Sequence, residues 1–359
     1  MEPHDTIFVY VGTYSRGRNE GIYVYRMDAY SGELFLTSTV GGLGNPAFLT
    51  IDPQQRYLYA VDEGEEVPDP PIGAVTAFSI DRRTGELSYI NSQPTQGAGP
   101  CYVTVDSTSS FVLVSNYYTG NVCVLPIRDG RLDEAVAVAQ HKGSGVNPDR
   151  QEGPHAHSIN LDQAGHYAFA ADLGIDKLVV YELDSSRRKL RFHAEFQAKP
   201  GAGPRHFSFH PRGTYAYLIN ELDSTLTAFS YDGGRGALTE LSTISTLPYA
   251  FEGESTCADV HASPSGKYVY GSNRGHDSIA IFEVDDNSGT LTLIGHEPTQ
   301  GKTPRNFAID PTGTFLLAAN QDSGTIVVFR MNDHTGKLTP TGYVIEVPEP
   351  ACVKVIRFS

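Results

Sequence analysis

Apolar and polar residues alternate in short runs along almost the whole chain, with a period of two rather than 3.6. Stretches such as GAVTAFSI from Gly73, DSIAIFEV from Asp277 and GTIVVF from Gly324 place every second side chain on one face. This is the pattern of half-buried β-strands, whose side chains point alternately to opposite faces. The runs are separated by D-x-x-T-G or D-x-x-S-G segments, as in DRRTG from Asp81 and DDNSG from Asp285, which read as hairpin turns. No stretch carries a helical period, so the pattern predicts an all-β fold.

The strands recur in a longer unit. Aligning on a Pro start, a D-P-x-G-type turn and an Asn or Asp end gives PAFLTIDPQQRYLYAVD from Pro46, PCYVTVDSTSSFVLVSN from Pro100 and PRHFSFHPRGTYAYLIN from Pro204. CADVHASPSGKYVYGSN from Cys257 and PRNFAIDPTGTFLLAAN from Pro304 follow the same template, and a further copy ends in YAFAAD at Asp172, with Ala156 in the Pro position. Each copy is followed by a second pair of strands, so a unit holds four. A period near 50 residues marks a propeller or a solenoid. Six full units fill about residues 46 to 342, leaving PACVKVIRF at the carboxyl end and three strands at the amino end. Joined, these make a seventh unit. The expected fold is a seven-bladed β-propeller, one domain over residues 1–359, with four antiparallel strands per blade. Pairing of the N- and C-terminal strands within one blade closes it and removes exposed sheet edges.

Composition agrees and narrows the partners. The 359 residues include 36 Gly, 22 Pro and 20 Tyr, a mixture of turn and strand formers. A formal net charge of -15 excludes nucleic acid and anionic membrane as expected partners, since both need a basic surface. An anionic ligand then requires a locally positive pocket. Cys101, Cys123, Cys257 and Cys352 show no C-x-x-C spacing and read as buried thiols. The first residues are acidic and enter a strand at once, without the pattern of a signal peptide, and no apolar run approaches a membrane span, so a cytoplasmic location is expected.

The repeat register also names a pocket. If the first strand of each unit is innermost, the residues after its Pro and the residues after the Asn or Asp that ends the second strand open on the same mouth. The first set is Ala47, Cys101, His157, Arg205, Ala258, Arg305 and Ala351. The second is Glu63, Tyr117, Leu173, Glu221, Arg274 and Gln321, with Thr13 or Tyr14 as the seventh. Framework positions keep their residue type from unit to unit, whereas these diverge, as expected where a repeated scaffold carries one asymmetric site.

Arg205, Arg274 and Arg305 supply planar forks that match carboxylate or phosphate. His157 offers a proton acceptor near neutrality, and Glu221 another if burial raises it. Tyr117, Glu63, Gln321, His206 and His276 are expected substrate contacts, with His155 and His261 nearby. Arg150, in the long insertion from Lys142 to His157, is placed to reach the pocket, and the acidic, Pro-rich loop from Glu63 to Gly73 is expected to shape access. The arginines could instead form a structural ion-pair network with Glu63 and Glu221. The Asn/Asp ladder of Asp62, Asn116, Asp172, Asn220, Asn273 and Asn320 reads as strand-end capping. Converging histidines raise the alternative of a metal, but three arginines would repel a cation and no ligand motif joins the histidines to a carboxylate. No cofactor is expected, since no phosphate-binding glycine loop is present.

GPHAHSINL, GPRHFSFHP, the NE of LINELDSTL, SNRGHDSIAIF and TPRNFAIDPTG resemble the lactonase seven-bladed propellers, over essentially the whole chain. That family groups propeller-type 6-phosphogluconolactonases with the fungal carboxy-cis,cis-muconate cyclase. The resemblance implies a catalytic set of His157, Arg205, Glu221 and Arg274, with Arg305 and His276 in family-like motifs. It implies a small anionic substrate and favours hydrolysis of 6-phosphogluconolactone. Cycloisomerisation of 3-carboxy-cis,cis-muconate remains open, because both reactions use an acid-base group among anion-clamping arginines. A non-catalytic binding platform is the third reading, for which an apolar rim would be the expected sign.

Overall fold

The computed structural model describes residues 6–16, 20–64, 72–184, 186 and 188–358. Its strands form seven antiparallel sheets in a ring, each strand paired with its neighbours in chain order. Blades 1 to 6 begin with the inner strands Leu49–Ile51, Pro100–Val105, Ala156–Leu161, Pro204–Phe209, Thr256–Ala262 and Pro304–Ile309. In blade 2 the outer strand is split into Arg131–Leu132 and Ala137–Gln140, both paired with Asn121–Arg128. The seventh blade takes its inner strand, Pro350–Phe358, from the C-terminal end, and lays Thr6–Thr13, Glu20–Met27 and Leu34–Gly41 beside it. The pairing runs from Thr6 opposite Phe358 to Thr13 opposite Pro350, so the two ends of the chain lock one blade. Among the described residues no helix is long and apolar enough to cross a membrane.

The apolar core is distributed between blades instead of gathered at a centre. Phe169 and Phe207 stack across blades 3 and 4 at 5.3 Å, in a cluster with Phe229. Tyr270, Phe307 and Phe329 join blades 5 and 6, and Val9, Phe315 and Val353 join blades 6 and 7. Each alternating strand thus buries both of its faces, one against each neighbouring blade, which explains why the second strands are nearly all buried.

Two devices repeat around the ring, one closing a turn within a blade and the other setting the spacing between blades. An Asp six residues after the Pro position folds back to accept backbone N–H groups across the tight turn. Asp106 takes Ser110 and Phe111 at 2.7 and 2.6 Å, and Asp52 and Asp310 do the same in their blades. The second device is a glycine in the hairpin between the third and outer strands, which presses on an aromatic ring of the preceding blade. Gly130 lies on Tyr57, Gly236 on Tyr167, Gly289 on Tyr215 and Gly336 on Tyr268. Tyr59 and Tyr270 add hydroxyl bonds to the carbonyls of Gly130 and Gly336 at 3.2 and 2.9 Å. A side chain is impossible there on two counts, since Gly289 has φ of 71° and an added Cβ would stand 2.3 Å from the Tyr215 ring. Gly289→Ala is therefore expected to cost about 2 kcal/mol, measured by denaturant unfolding, through backbone strain and overpacking. A loss below about 0.5 kcal/mol would show that the ring contact does not hold the blades.

Candidate active site

The inner strands do not enter the ring smoothly. At the residue after the Pro position the ladder to the second strand slips by one, between Pro100 and Tyr102, Ala156 and Ser158, Pro204 and His206, and Pro304 and Asn306. Such a bulge leaves one residue unpaired and turns its side chain away from the sheet face. The unpaired residues are Cys101, His157, Arg205 and Arg305. The residue after Asn is fixed by a different repeat, in which its backbone N–H donates to a carbonyl just before the inner strand. Glu63 reaches Gly44, Tyr117 reaches Gly99, Glu221 reaches Gly203 and Gln321 reaches Thr303, at 2.7 to 2.9 Å. In the seventh blade Tyr14 donates to Glu349 at 3.1 Å, which makes Tyr14, not Thr13, the equivalent residue.

Members of both sets open on one cavity, lined by Tyr14, Glu63, Gly99, Cys101, Tyr117, Tyr118, Arg150, His157, Glu221, Arg274 and Arg305. Arg205 is fully buried directly behind it. His206 is buried one layer deeper. Gln321 and His276 are not among the lining residues: the Oε1 of Gln321 is buried without a partner, and His276 bonds Ser278 Oγ at 2.6 Å while packing edge-on to Phe251 and His296. The loop from Glu63 to Gly73 falls mostly outside the described residues. Most of the Asn/Asp ladder caps backbone, as Asp62 does for Gly44 and Gly64 and Asn116 for Thr95, whereas Asn220 donates to the hydroxyls of Thr225 and Thr227.

Glu221 is the hub of the cationic side. Its Oε2 accepts from Arg205 Nε at 2.9 Å and lies 3.0 Å from Arg274 Nη2, and its Oε1 accepts from Arg150 Nη2 at 2.6 Å. Burial pushes this carboxyl up, but Arg274, Arg205 and Arg150 overrule it and hold the group at about 2. The expectation that burial lifts Glu221 toward neutrality is thus not met, because three guanidiniums share it. Burial and the neighbouring Arg274 and Arg305 bring Arg205 down to about 10. Its Nη1 donates to the Ala258 carbonyl at 2.5 Å and lies 3.2 Å from His206 Nε2. With Nε2 accepting, His206 donates through Nδ1 to Asp259 at 2.7 Å, and Asp259 also holds His261 and Asn306. Burial and Arg205 lower His206 to about 4, so it stays neutral.

Arg305 has a different environment. Its Nη2 donates to the Tyr14 hydroxyl at 2.8 Å and its guanidinium lies over the Tyr14 ring, and among the described residues no carboxylate is within ion-pair distance. It is the guanidinium left for an incoming anion. His157 is buried at the cavity wall with Tyr117 and His206 edge-on at 5.4 Å, and its Nδ1 is 3.8 Å from Cys101 Sγ. Burial, then Arg205, His206 and Arg305, hold its imidazole well below the ordinary value, so it is neutral. The Cys101 thiol lines the cavity, half-buried, and is pushed up to about 12 by burial. Among the described residues Glu63 has a single side-chain partner, Asn45 Nδ2 at 3.1 Å on Oε2, and burial lifts it to about 7 against the opposing pull of Asn45 and Arg305. Among the described residues no three metal-binding side chains converge.

Register reading found most of these residues but missed Tyr118 and assigned Arg150 only by its insertion. Tyr118 follows Tyr117 and needed a two-residue window. Arg150 enters from outside the repeat, so no periodic signal marks it.

The family model described as lactonase, 7-bladed beta-propeller, matches residues 8–355. The 6-phosphogluconolactonase of Bacillus subtilis (strain 168) is 39% identical over 302 residues, 84% of each chain. Among solved structures, a putative 6-phosphogluconolactonase from Bacteroides fragilis superposes with a TM-score of 0.90 at 36% identity, over 99% of both chains. A periplasmic gluconolactonase from Pseudomonas aeruginosa superposes with a TM-score of 0.92 at 34% identity, over 98% of this chain and 99% of that one. Bulged inner strands, a polar mouth and a match from end to end of the ring agree: the chain belongs to the seven-bladed β-propeller lactonase family.

Proposed function

We propose that this protein hydrolyses 6-phosphogluconolactone to 6-phosphogluconate, and that His157, Arg205, Glu221, Arg274 and Arg305 carry the site's work. The observation that bears most weight is the charge balance of the mouth. Arg150, Arg205, Arg274 and Arg305 face one carboxylate that is permanently ionised, Glu221, and one that is raised, Glu63. The excess is positive within a protein of net charge -15, so an anion is stabilised in the cavity and not over the surface at large. A relative named 6-phosphogluconolactonase at 39% identity supplies the substrate class.

Each group has a chemical part. Arg305, which has no carboxylate partner among the described residues, takes the phosphate with Arg150 at the rim. Glu221 fixes the guanidiniums of Arg205 and Arg274 in place before substrate arrives, which keeps the reorganisation cost out of the reaction. His157, neutral and short of proton affinity, donates an N–H to the carbonyl oxygen as negative charge develops there. A passive binding platform fits poorly, since the mouth is ionic and not apolar. The four cysteines are free thiols and the substrate is a phosphorylated sugar acid derivative, both of which suit a cytoplasmic location.

The direct test offers purified protein 6-phosphogluconolactone, gluconolactone and 3-carboxy-cis,cis-muconate, following lactone loss by acid release and diene loss by absorbance. Turnover of the phosphorylated lactone is expected, and turnover of the diene alone would replace lactone hydrolysis by cycloisomerisation. Arg305→Met should lower kcat/KM for the phosphorylated lactone by about 10- to 100-fold, the worth of a charged hydrogen bond, and affect gluconolactone much less. Equal losses on both would move the phosphate elsewhere.

Glu221→Gln should be costly to stability as well as to activity. It leaves Arg205 buried without a counter-charge, and breaking such a pair costs about 3 kcal/mol or more. The Arg150 limb adds little, its side chain being 41% exposed. Because the folded carboxyl is depressed from 4.5 to about 2, its contribution is complete above the unfolded value and is lost as pH falls through about 2. Urea unfolding at neutral pH measures this, and a loss under about 1 kcal/mol would mean that the guanidiniums are satisfied without Glu221.

A further inference from the structure

Two carboxyls reach this mouth from the same register position, each following the residue that ends its blade's second strand, and their surroundings are opposite. Glu221 uses both oxygens on arginines. Glu63 stands in blade 1, three blades from Arg205 and Arg274 in either direction around the ring. Among the described residues its Oε2 has one neutral donor, Asn45, while its Oε1 has no hydrogen bond and the group no ion pair. The oxygen without a partner among the described residues belongs to a carboxyl that lines the same cavity as Arg150, Arg274 and Arg305.

We propose that Glu63 is the general base of the hydrolysis, an assignment that rests on the lactonase reading above. The Glu63 carboxylate takes a proton from a water molecule as the water oxygen bonds to the lactone carbonyl carbon and the carbonyl electron pair moves onto oxygen, beside His157. Collapse re-forms the carbonyl and breaks the bond from that carbon to the ring oxygen. The protonated Glu63 returns the same proton to the departing oxygen, which regenerates the carboxylate. One water is consumed, one ester bond is broken, and no other reactant is needed.

Glu221 is a poor candidate because three guanidiniums have taken its basicity, and His157 because it would have to hold a proton beside Arg205, His206 and Arg305. Glu63 is the group whose proton affinity matches neutral pH, where a general base is most effective. A raised carboxyl as base with a depressed, neutral imidazole as hydrogen-bond donor is a workable division of labour at one carbonyl. The charged and titratable groups facing Glu63 are Arg305 from blade 6, Tyr14 from blade 7, Cys101 and Tyr118 from blade 2, and its own neighbour Asp62. Burial raises the two tyrosines and the thiol, so they stay neutral through the range in which Glu63 titrates.

The test is the pH profile of kcat/KM on 6-phosphogluconolactone between about pH 5.5 and pH 8.5, for wild type, Glu63→Gln and Asn45→Gly. Wild type should lose activity about tenfold per unit below a limb near neutrality. Glu63→Gln should retain its fold by circular dichroism and melting, lose about 10²- to 10⁴-fold in kcat with little change in KM, and lose that limb. Any limb from the substrate's own phosphate persists in all three proteins. Asn45 has φ of 53°, which glycine adopts without strain, so Asn45→Gly removes the hydrogen bond that lowers Glu63, together with those its Oδ1 accepts from the Arg16 N–H and the Ser15 hydroxyl on the far side of the amide. Its limb should move to higher pH with the plateau kept, a shift that a structural role for Glu63 would not produce. Glu63→Gln with wild-type kcat, or Asn45→Gly with an unmoved limb, overturns the assignment while leaving the lactonase reading intact. Wild-type protein that hydrolyses no lactone overturns both.

Discussion

Because Pro350–Phe358 has to pair with Thr6–Thr13 for the last blade to exist, all seven blades must occupy equal shares of one ring, and no blade can thicken without opening it. That requirement accounts for the uniformity of the framework. The Asp-closed turns repeat the same shape within the blades, and the glycines on rings of the preceding blade and the interlocking apolar clusters set the same spacing between them. A bulge at the head of the inner strands and a backbone tie after the second strands lie at the mouth, outside the apolar clusters that pack blade on blade. The fold therefore confines chemical variation to about two positions per blade, and the site is built from those.

Filling these positions with cations brings an electrostatic cost that the structure meets in two places. Glu221 neutralises part of Arg205, Arg274 and Arg150, and the chain from Arg205 through neutral His206 to Asp259 spreads the remaining positive charge into the ring. Asp259 also gathers His261 and Asn306, so one buried carboxylate orients side chains from three adjacent blades. Arg305 lies outside this network and keeps its charge for a ligand. The inner-ring guanidiniums of Arg205, Arg274 and Arg305 thus stand on blades 4 to 6, while Glu63, Tyr117 and His157 stand on blades 1 to 3 and Arg150 reaches in from the insertion between blades 2 and 3.

Register carried the sequence reading a long way, because strand period and repeat length together determine which side chains share a mouth. His157, Arg205, Glu221, Arg274, Arg305, Glu63 and Tyr117 could be placed at or just behind one cavity without coordinates. Gln321 occupies an equivalent backbone position and still does not line the cavity, since register fixes the N–H tie but not the rotamer. His276 was assigned by its motif and not by register, and it packs with Phe251 and His296. Arg150 was harder to read, since an insertion has no register. Proton affinity was not legible at all: Glu63 and Glu221 are the same residue at the same repeat position, and only the count of neighbouring guanidiniums separates them by their pull on the proton.

That separation has a consequence for the end of the proposed reaction. Hydrolysis of an ester releases a carboxylic acid that ionises at neutral pH, so product carries one more negative charge than substrate. An arginine-rich mouth would hold such a product more tightly and slow its release. Glu63 opposes this, because once it has returned its proton to the ring oxygen it is again a carboxylate, close to the one just formed. Like charges at short range in a partly dry cavity repel strongly. The carboxyl that draws the proton from water is then also the group that makes the cavity a poor resting place for the product.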